Sequence, residues 1–232
     1  MGSKLSPKRT AIAEAARAER LRILESGLPM GDQALPEGRG EETKSRILDT
    51  SITLFAERGF DACTMRDIAA AVGIKAPAIY NHYSSKDDVL AAAMEHILGR
   101  FFFTLMAPLE EKPVEGWLKL LVRGHVAFQL EHPRLSQAND ALLNAPGKQR
   151  VLPPDVYRRI VGVERGYIEL ISILVRLSVP RSNDWDGLMS GFAITAMCDR
   201  VVAWYDPAGA LEARQVADRT WKLVSRMIGA SA

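Results

Sequence analysis

The sequence predicts an all-α protein: an N-terminal helix-turn-helix domain followed by a larger C-terminal helical domain. Three observations lead there. Apolar residues recur at three- and four-residue spacing along most of the 232-residue chain, and no segment of useful length alternates apolar with polar as a half-buried strand would. Gly and Pro cluster where these periodic segments end, as helix punctuation does. Residues 64–83 hold two short helical patterns joined by a glycine, the layout of a helix-turn-helix.

The stretch 43–86 is the most specific part. Ile47, Leu48, Leu54 and Phe55 form the apolar side of a first helix that Gly59 ends. Thr64-Met65-Arg66-Asp67 reads as a capping box, with the Thr64 hydroxyl accepting an orphan amide and Asp67 reaching back. Ile68, Ala69 and Val72 bury one side of a two-turn helix, and Gly73 supplies a left-handed turn residue without steric cost. Ile74 fills the corner, and a second short helix is expected over residues 75–83. Such a second helix can enter a DNA major groove.

The order Phe55-Ala56-Glu57-Arg58-Gly59-Phe60, Thr64, Asp67-Ile68-Ala69, Val72-Gly73-Ile74, Ala78-Ile79-Tyr80, His82-Tyr83 and Lys86-Asp87 resembles the DNA-binding domain of the TetR family of bacterial repressors. The resemblance implies an all-helical homodimer that binds a palindromic DNA operator and has a C-terminal ligand-binding and dimerisation domain. It maps DNA contacts onto Arg66, Lys75, Ala76, Pro77, Ala78, Tyr80, Asn81, His82 and Lys86, with Thr64 and Thr43 near phosphates. Tyr83 stands where Phe is commoner. Lys75-Ala76 replaces a usual Ser and variable residue, so the base preference is this chain's own.

Charge is distributed unusually for a DNA-binding protein. The whole chain is +2, but residues 41–90 carry six Lys and Arg against eight Asp and Glu. Arg66, Lys75 and Lys86 nevertheless stand in a stretch whose sole acid is Asp67. Residues 1–40 have a net charge of +2 and are expected to be a flexible or partly helical basic arm. Lys4, Lys8 and Arg9 precede any acid there, and could lie along a phosphate backbone. Breaker residues from Gly27 to Gly40 separate this arm from a DNA-binding domain at 41–100 and a ligand-binding and dimerisation domain at 101–232.

Beyond the arm the pattern predicts about nine helices. A helix over 85–107 starts at Ser85 as N-cap, with Asp87 and Asp88 in its first turn, which suits the helix dipole. Others follow at 114–131, 135–144, 154–177, 184–205 and 211–228. Between Leu188 and Trp204 apolar residues surround most of the helix circumference, so it must be covered on several sides. Phe192, Ala196, Val201, Val216, Thr220, Leu223 and Met227 are therefore expected at a dimer interface built from the last two helices of each subunit.

A sensor domain needs an apolar cavity with a few orienting polar groups. Trp117, His125, Phe128, Gln129, Tyr157, Tyr167, Trp185, Met189 and Phe192 are the candidates. The run Glu131-His132-Pro133-Arg134, the Leu152-Pro153-Pro154 helix start and the turn Trp204-Tyr205-Asp206-Pro207 with Gly209 resemble a TetR branch that responds to acyl-CoA thioesters. Arg158, Arg159 and Arg165 would suit the phosphates of such a small hydrophobic effector.

The four histidines show no metal-ligand spacing, and no phosphate loop, dinucleotide fingerprint or nucleophile elbow occurs, so neither a metal, a cofactor nor catalysis is expected. Cys63 and Cys198 are expected to be reduced thiols of a cytoplasmic protein, and no apolar run is expected to span a membrane. The resulting expectation is a ligand-responsive repressor. The rival is a small-molecule binding protein or enzyme on the same fold without DNA recognition, supported by the acidic balance of residues 41–90.

Overall fold

The computed structural model describes residues 6–29, 39–133, 136, 152–179 and 184–230. Among them there are helices and turns and no strand. The helices are α1 (Pro7–Leu24), α2 (Arg39–Arg58), α3 (Met65–Val72), α4 (Ala76–Ile79), α5 (Lys86–Met106), α6 (Trp117–Glu131), α7 (Pro154–Ser178), α8 (Asp184–Asp199) and α9 (Ala213–Ile228), with short 3₁₀ turns at Ala107–Leu109, Val114–Gly116 and Arg200–Ala203. The helix expected at 135–144 lies outside the described residues.

The chain divides into two compact units. One comprises Met1–Ser26, Phe101–Glu131 and Val161–Ala232; the other comprises Gly27–Arg100 and His132–Ile160.

In the second unit, Ile47, Ile52 and Phe55 of α2, Ile68 and Val72 of α3, Ile79 of α4 and Val89 of α5 are buried together as one apolar core. Gly59 ends α2 at φ 82°, and Ser85 caps α5 by accepting from the Asp88 amide at 3.1 Å. Polar ties brace the helices. Arg46 donates to the Val72 carbonyl at the C-terminal end of α3, 2.6 Å, where a cation also suits the helix dipole. Arg100 reaches Asp49 at 3.3 Å. Arg159, at the start of α7, is held by Glu95 at 2.6 Å and Asp155 at 3.0 Å. A guanidinium engaged twice is occupied with the fold, which corrects the expectation that Arg159 awaits a ligand phosphate.

In the first unit, α9 lays Val216, Ala217, Thr220 and Val224 inward, with α6 as its main neighbour. Helix α8 approaches α7 so closely that side chains are excluded. A Cβ on Gly191 would lie 3.0 Å from the Ile168 carbonyl, and one on Gly187 2.9 Å from Ser172 Oγ. Helix α1 belongs here as well. Ala13, Ala16 and Ile23 are buried, Arg20 Nε donates to the Met106 carbonyl at 2.9 Å, and Arg9 donates to the Leu177 carbonyl at 3.5 Å.

Within the arm expected to be flexible or partly helical, residues 7–24 form a helix that packs through the small residues at 13 and 16, and Arg9 and Arg20 spend their donors on backbone carbonyls. Lys4 lies outside the described residues. The segment Lys86–Leu109 is long and apolar enough by composition to cross a membrane, with mean hydropathy 1.4, contrary to the sequence expectation. It is 72% buried, as a core helix is.

The glycines make a paired prediction. Gly191→Ala should lower the urea midpoint of the chain by the equivalent of about 1–3 kcal/mol, since the clashing atom is backbone that cannot turn away. Gly162→Ala, whose Cβ would meet nothing within 4 Å, should instead raise it by up to about 1 kcal/mol through helix propensity.

Candidate DNA-reading surface and effector core

The helix-turn-helix assembles by local rules. Thr64 is the N-cap of α3: its hydroxyl accepts from the Asp67 amide at 3.2 Å, while the Asp67 carboxylate accepts from the Thr64 amide at 2.8 Å. The Thr64 hydroxyl also donates to the Asp67 carboxylate at 2.6 Å, and this bond, then the one from the Thr64 amide, holds the Asp67 carboxyl below its ordinary value. Gly73 terminates α3 at φ 77°, a left-handed conformation that costs an L side chain energy. The Ile74 amide then bonds back to Ala69 at 2.9 Å, which closes the turn.

Helix α4 is shorter than expected. Its α-helical part is Ala76–Ile79, and the Asn81, His82 and Tyr83 amides continue as turns onto Ala78 and Ile79. Pro77 starts it well, since a proline lacks the amide that a first turn leaves unpaired. Buried Ile79 and Tyr83 pin it to the core. The Tyr83 hydroxyl is buried without a hydrogen-bond partner, and burial, then the Glu41 charge, raises its pKa well above the usual phenol value.

Of the residues mapped to DNA, Thr64, Arg66, Lys75, Pro77, Tyr80 and Asn81 are exposed on α3, the turn and α4. Ala76, Ala78 and His82 are half-buried beside them, and Thr43 is half-buried in α2. Lys86 differs. Its ammonium donates to the Phe60 carbonyl at 2.7 Å and sits 4.2 Å from the Phe60 ring centroid. That contact ties the start of α5 to the loop after α2.

In the first unit, the structure gathers four of the expected effector residues. His125 is 2% exposed. Its Nδ1 lies 3.2 Å from the Tyr167 hydroxyl and its Nε2 2.9 Å from Asp199 Oδ1. Gln129 Nε2 also donates to Asp199 Oδ1, at 3.0 Å. A carboxylate only accepts, so Nε2 carries the proton and Nδ1 accepts from the tyrosine. Phe101 stacks edge-on against His125, Phe128 and Tyr167 at 4.8, 5.2 and 5.9 Å. Burial, followed by the charges of Cys198 and Asp199, raises the Tyr167 pKa well above the usual phenol value, so it remains a donor. Gln129 Oε1 is buried with no partner; turning the amide over would set that oxygen against Asp199, so it stays an orphan acceptor.

The remaining candidates go elsewhere. Trp117 is core, with its indole donating to the Lys112 carbonyl at 2.9 Å and the Arg20 guanidinium 6.0 Å from its ring centroid. Tyr157 belongs to the second unit, and the side chain of Trp185 lies outside the described residues. Met189 and Phe192 are 66% and 52% exposed, so neither lines an interior site. For the interface set, Phe192, Ala196, Leu223 and Met227 are exposed as expected of an unpaired face. Val201, Val216 and Thr220 are corrected: they are 1–5% exposed inside their own subunit. Val216 and Thr220 stand four apart on the buried stripe of α9, and Leu223 and Met227 on its other side. Sequence reasoning missed Phe101 and Asp199 as members of the effector core. His125 and Gln129 are an i, i+4 pair that periodicity shows, but Asp199 is 74 residues from His125. Among the described residues no three His, Cys, Asp or Glu converge as metal ligands, and both cysteines are buried and free.

A capped first helix, a glycine-closed turn and a short second helix flanked by exposed Lys75, Tyr80 and Asn81 form a helix-turn-helix. The pattern of "Bacterial regulatory proteins, tetR family" matches residues 47–93, and that of "Tetracyclin repressor-like, C-terminal domain" matches residues 111–228. The chain belongs to the TetR family.

Among relatives, the biofilm operon negative transcriptional regulator IcaR of Staphylococcus epidermidis is 36% identical over 81 residues, which are 34% of this chain and 44% of that protein. The chain thus spans under half of that relative's length. The transcriptional repressor KstR2 of Mycobacterium tuberculosis is 26% identical over 203 residues, covering 81% of this chain and 93% of the repressor. The solved structure of AibR in complex with isovaleryl coenzyme A and operator DNA superposes with TM-score 0.64 at 20% identity, covering 82% of this chain and all of that one; it shares the fold.

Thr64→Ala removes the cap of α3 and should cost about 1 kcal/mol, read as faster amide exchange across α3. The Asp67 contribution has a pH sign. Its carboxyl is depressed below 3.8 in the folded state, so its stabilisation is full above that value and lost as pH falls through the lower folded one. Asp67→Asn should flatten the acid side of the α3 exchange profile.

Proposed function

We propose that the chain is a cytoplasmic repressor that binds a palindromic operator as a homodimer and leaves it when a small hydrophobic molecule, such as an acyl-CoA, binds residues 101–232. The observation that carries this reading is the α3–α4 unit: a capped α3, a glycine-closed turn, and Arg66, Lys75, Tyr80 and Asn81 all exposed on one compact substructure. Two such units about 34 Å apart reach successive major grooves. The named relatives support it, since KstR2 and IcaR are repressors and AibR is seen with both isovaleryl coenzyme A and operator DNA.

The His125–Tyr167–Asp199 core supports an effector that is largely apolar and carries a hydrogen-bond donor. Four aromatic or imidazole rings supply the apolar contact, and Gln129 Oε1 is an acceptor in want of a donor. For the dimer, the exposed large apolar residues Met189 and Phe192 on α8, Trp204, and Leu223 and Met227 on α9 are the support. Scattered exposed apolar residues are ordinary; several large ones on neighbouring elements mark an interaction surface.

The test is a gel shift on the chain's own upstream DNA at rising salt. Retarded DNA whose affinity falls steeply with salt supports a repressor; no retardation at low salt supports the rival binding protein without DNA recognition. Arg66→Ala should relax preference at one base pair per half-site by about 1–3 kcal/mol. Equal losses on all operator variants would make Arg66 a phosphate contact instead. Phe192→Glu and Leu223→Glu should yield monomers in sedimentation with an unchanged melting temperature, and operator affinity should fall with the dimer. Val201→Glu, which buries a charge inside the subunit, should lower the melting temperature instead.

A further inference from the structure

Helix α1 precedes the residues that the family patterns match. The family pattern begins at residue 47, and the AibR structure is covered in full by 82% of this chain. Yet the body of the first unit is shaped to receive it. A Cβ at position 166 would meet Glu19 Oε1 at 2.9 Å and Ile23 Cγ1 at 3.3 Å, so α1 packs closely on α7 at this glycine. Glu19, 5% exposed, is neutralised by its salt bridge to Arg22.

Docked there, α1 forms one wall of an open groove of about 490 Å³. Its opposite wall is Leu188 and Phe192 of α8, and its floor is Gly162, Gly166 and Ile168 of α7. No side chain of this chain fills the groove above Gly162. Phe192 also belongs to the exposed stripe of α8, which continues through Ala193 and Ala196 to Trp204, 60% exposed. The groove therefore opens onto the face assigned above to a second copy.

Symmetry selects the occupant. In a two-fold interface the same patch serves both subunits. Two copies of α8 crossing antiparallel come closest where side chains are smallest, at Ala193 and Ala196. A crossing near Ala196 brings the C-terminal end of α8 in one copy toward the N-terminal end of α8 in the other, where Leu188 stands. Trp204 follows the 3₁₀ turn Arg200–Ala203 beyond that C-terminal end and is 60% exposed, outside the groove of its own chain. We propose that Trp204 of a second copy seats in the α1–α7–α8 groove, making the added helix α1 part of the dimer interface. The inference rests on the dimer reading. An indole in an apolar slot with a polar rim is the usual anchor of such an interface.

Sedimentation equilibrium of the full chain tests it with Trp204→Ala, Trp204→Phe and Gly162→Phe. The last places a ring where a Cβ meets open space, so it blocks the groove without strain. Trp204→Ala and Gly162→Phe should each weaken dimerisation at least tenfold with unchanged thermal melts, and Trp204→Phe should recover most of the loss. The Ala–Phe double variant should be no weaker than either single one, because both remove one contact. A wild-type dimer that Trp204→Ala leaves within twofold, or penalties that add, overturns the proposal and leaves the dimer reading standing. A wild-type monomer at high concentration overturns both.

Discussion

The close contact of α8 with α7 is the constraint from which the rest of the first unit follows. With no Cβ at 187 or 191, α8 rests on the α7 backbone at Ile168 and Ser172. That fixes the rotation of α8 about its own axis. Ile194 and Cys198, on the glycine side, turn inward and are 1% exposed, while Met189, Phe192 and Ala196 turn outward. One rotation thus decides which of its many apolar residues are core and which are surface. It also brings Asp199, at the end of the helix, to His125 and Gln129. Any larger residue at 191 would push against a carbonyl, and all three arrangements would shift together.

The second unit depends on shorter-range forces. Its net acidity opposes DNA binding in sum, but placement matters more than the sum. Asp67 is held by Thr64, and Asp49 faces Arg100 and His96. Glu95 is bound by Arg159. These carboxylates are partnered internally, whereas Arg66 and Lys75 stand exposed on and beside the two short helices. For Asp49 and Glu95 the paired guanidinium offsets the charge that a phosphate would meet, whereas Asp67, held by a neutral hydroxyl and amide, keeps its full charge.

Local signals were legible in the sequence and long-range choices were not. Thr64-Met65-Arg66-Asp67, Gly59, Gly73 and Ser85 each act through bonds to residues at most five positions away, and the structure places caps and turns at all four. Periodicity also gave the extents of α5, α6, α7 and α9 within a few residues. It failed where several faces are equally apolar. Val216 and Thr220 read like Leu223 and Met227, and only the neighbouring α6 decides which pair is inside. The docking of α1 was hidden for a related reason. Its own stripe is thin, and the feature that receives it, Gly166, lies some 150 residues downstream in α7. Pairings such as His125 with Asp199 leave no trace in spacing at all.

Helix α8 is where the two functions proposed for the first unit meet. Its inner side and C-terminal end carry the hydrogen bonds of the effector core, through Asp199, and bury Cys198 beside Tyr167. Its outer side carries Met189, Phe192 and Ala196. A helix is stiff along its axis, so a displacement at Asp199 is transmitted to the outer stripe as a shift or rotation of the whole element. An effector whose donor engages Gln129 Oε1 would join the same side chain whose Nε2 binds Asp199, and so would be linked to this helix through Gln129. It can favour one position of α8 only to the extent that it binds that position more tightly than the other. The polar core is small, and a buried hydrogen bond contributes about 1 kcal/mol net, so contacts to the surrounding rings must supply most of that difference.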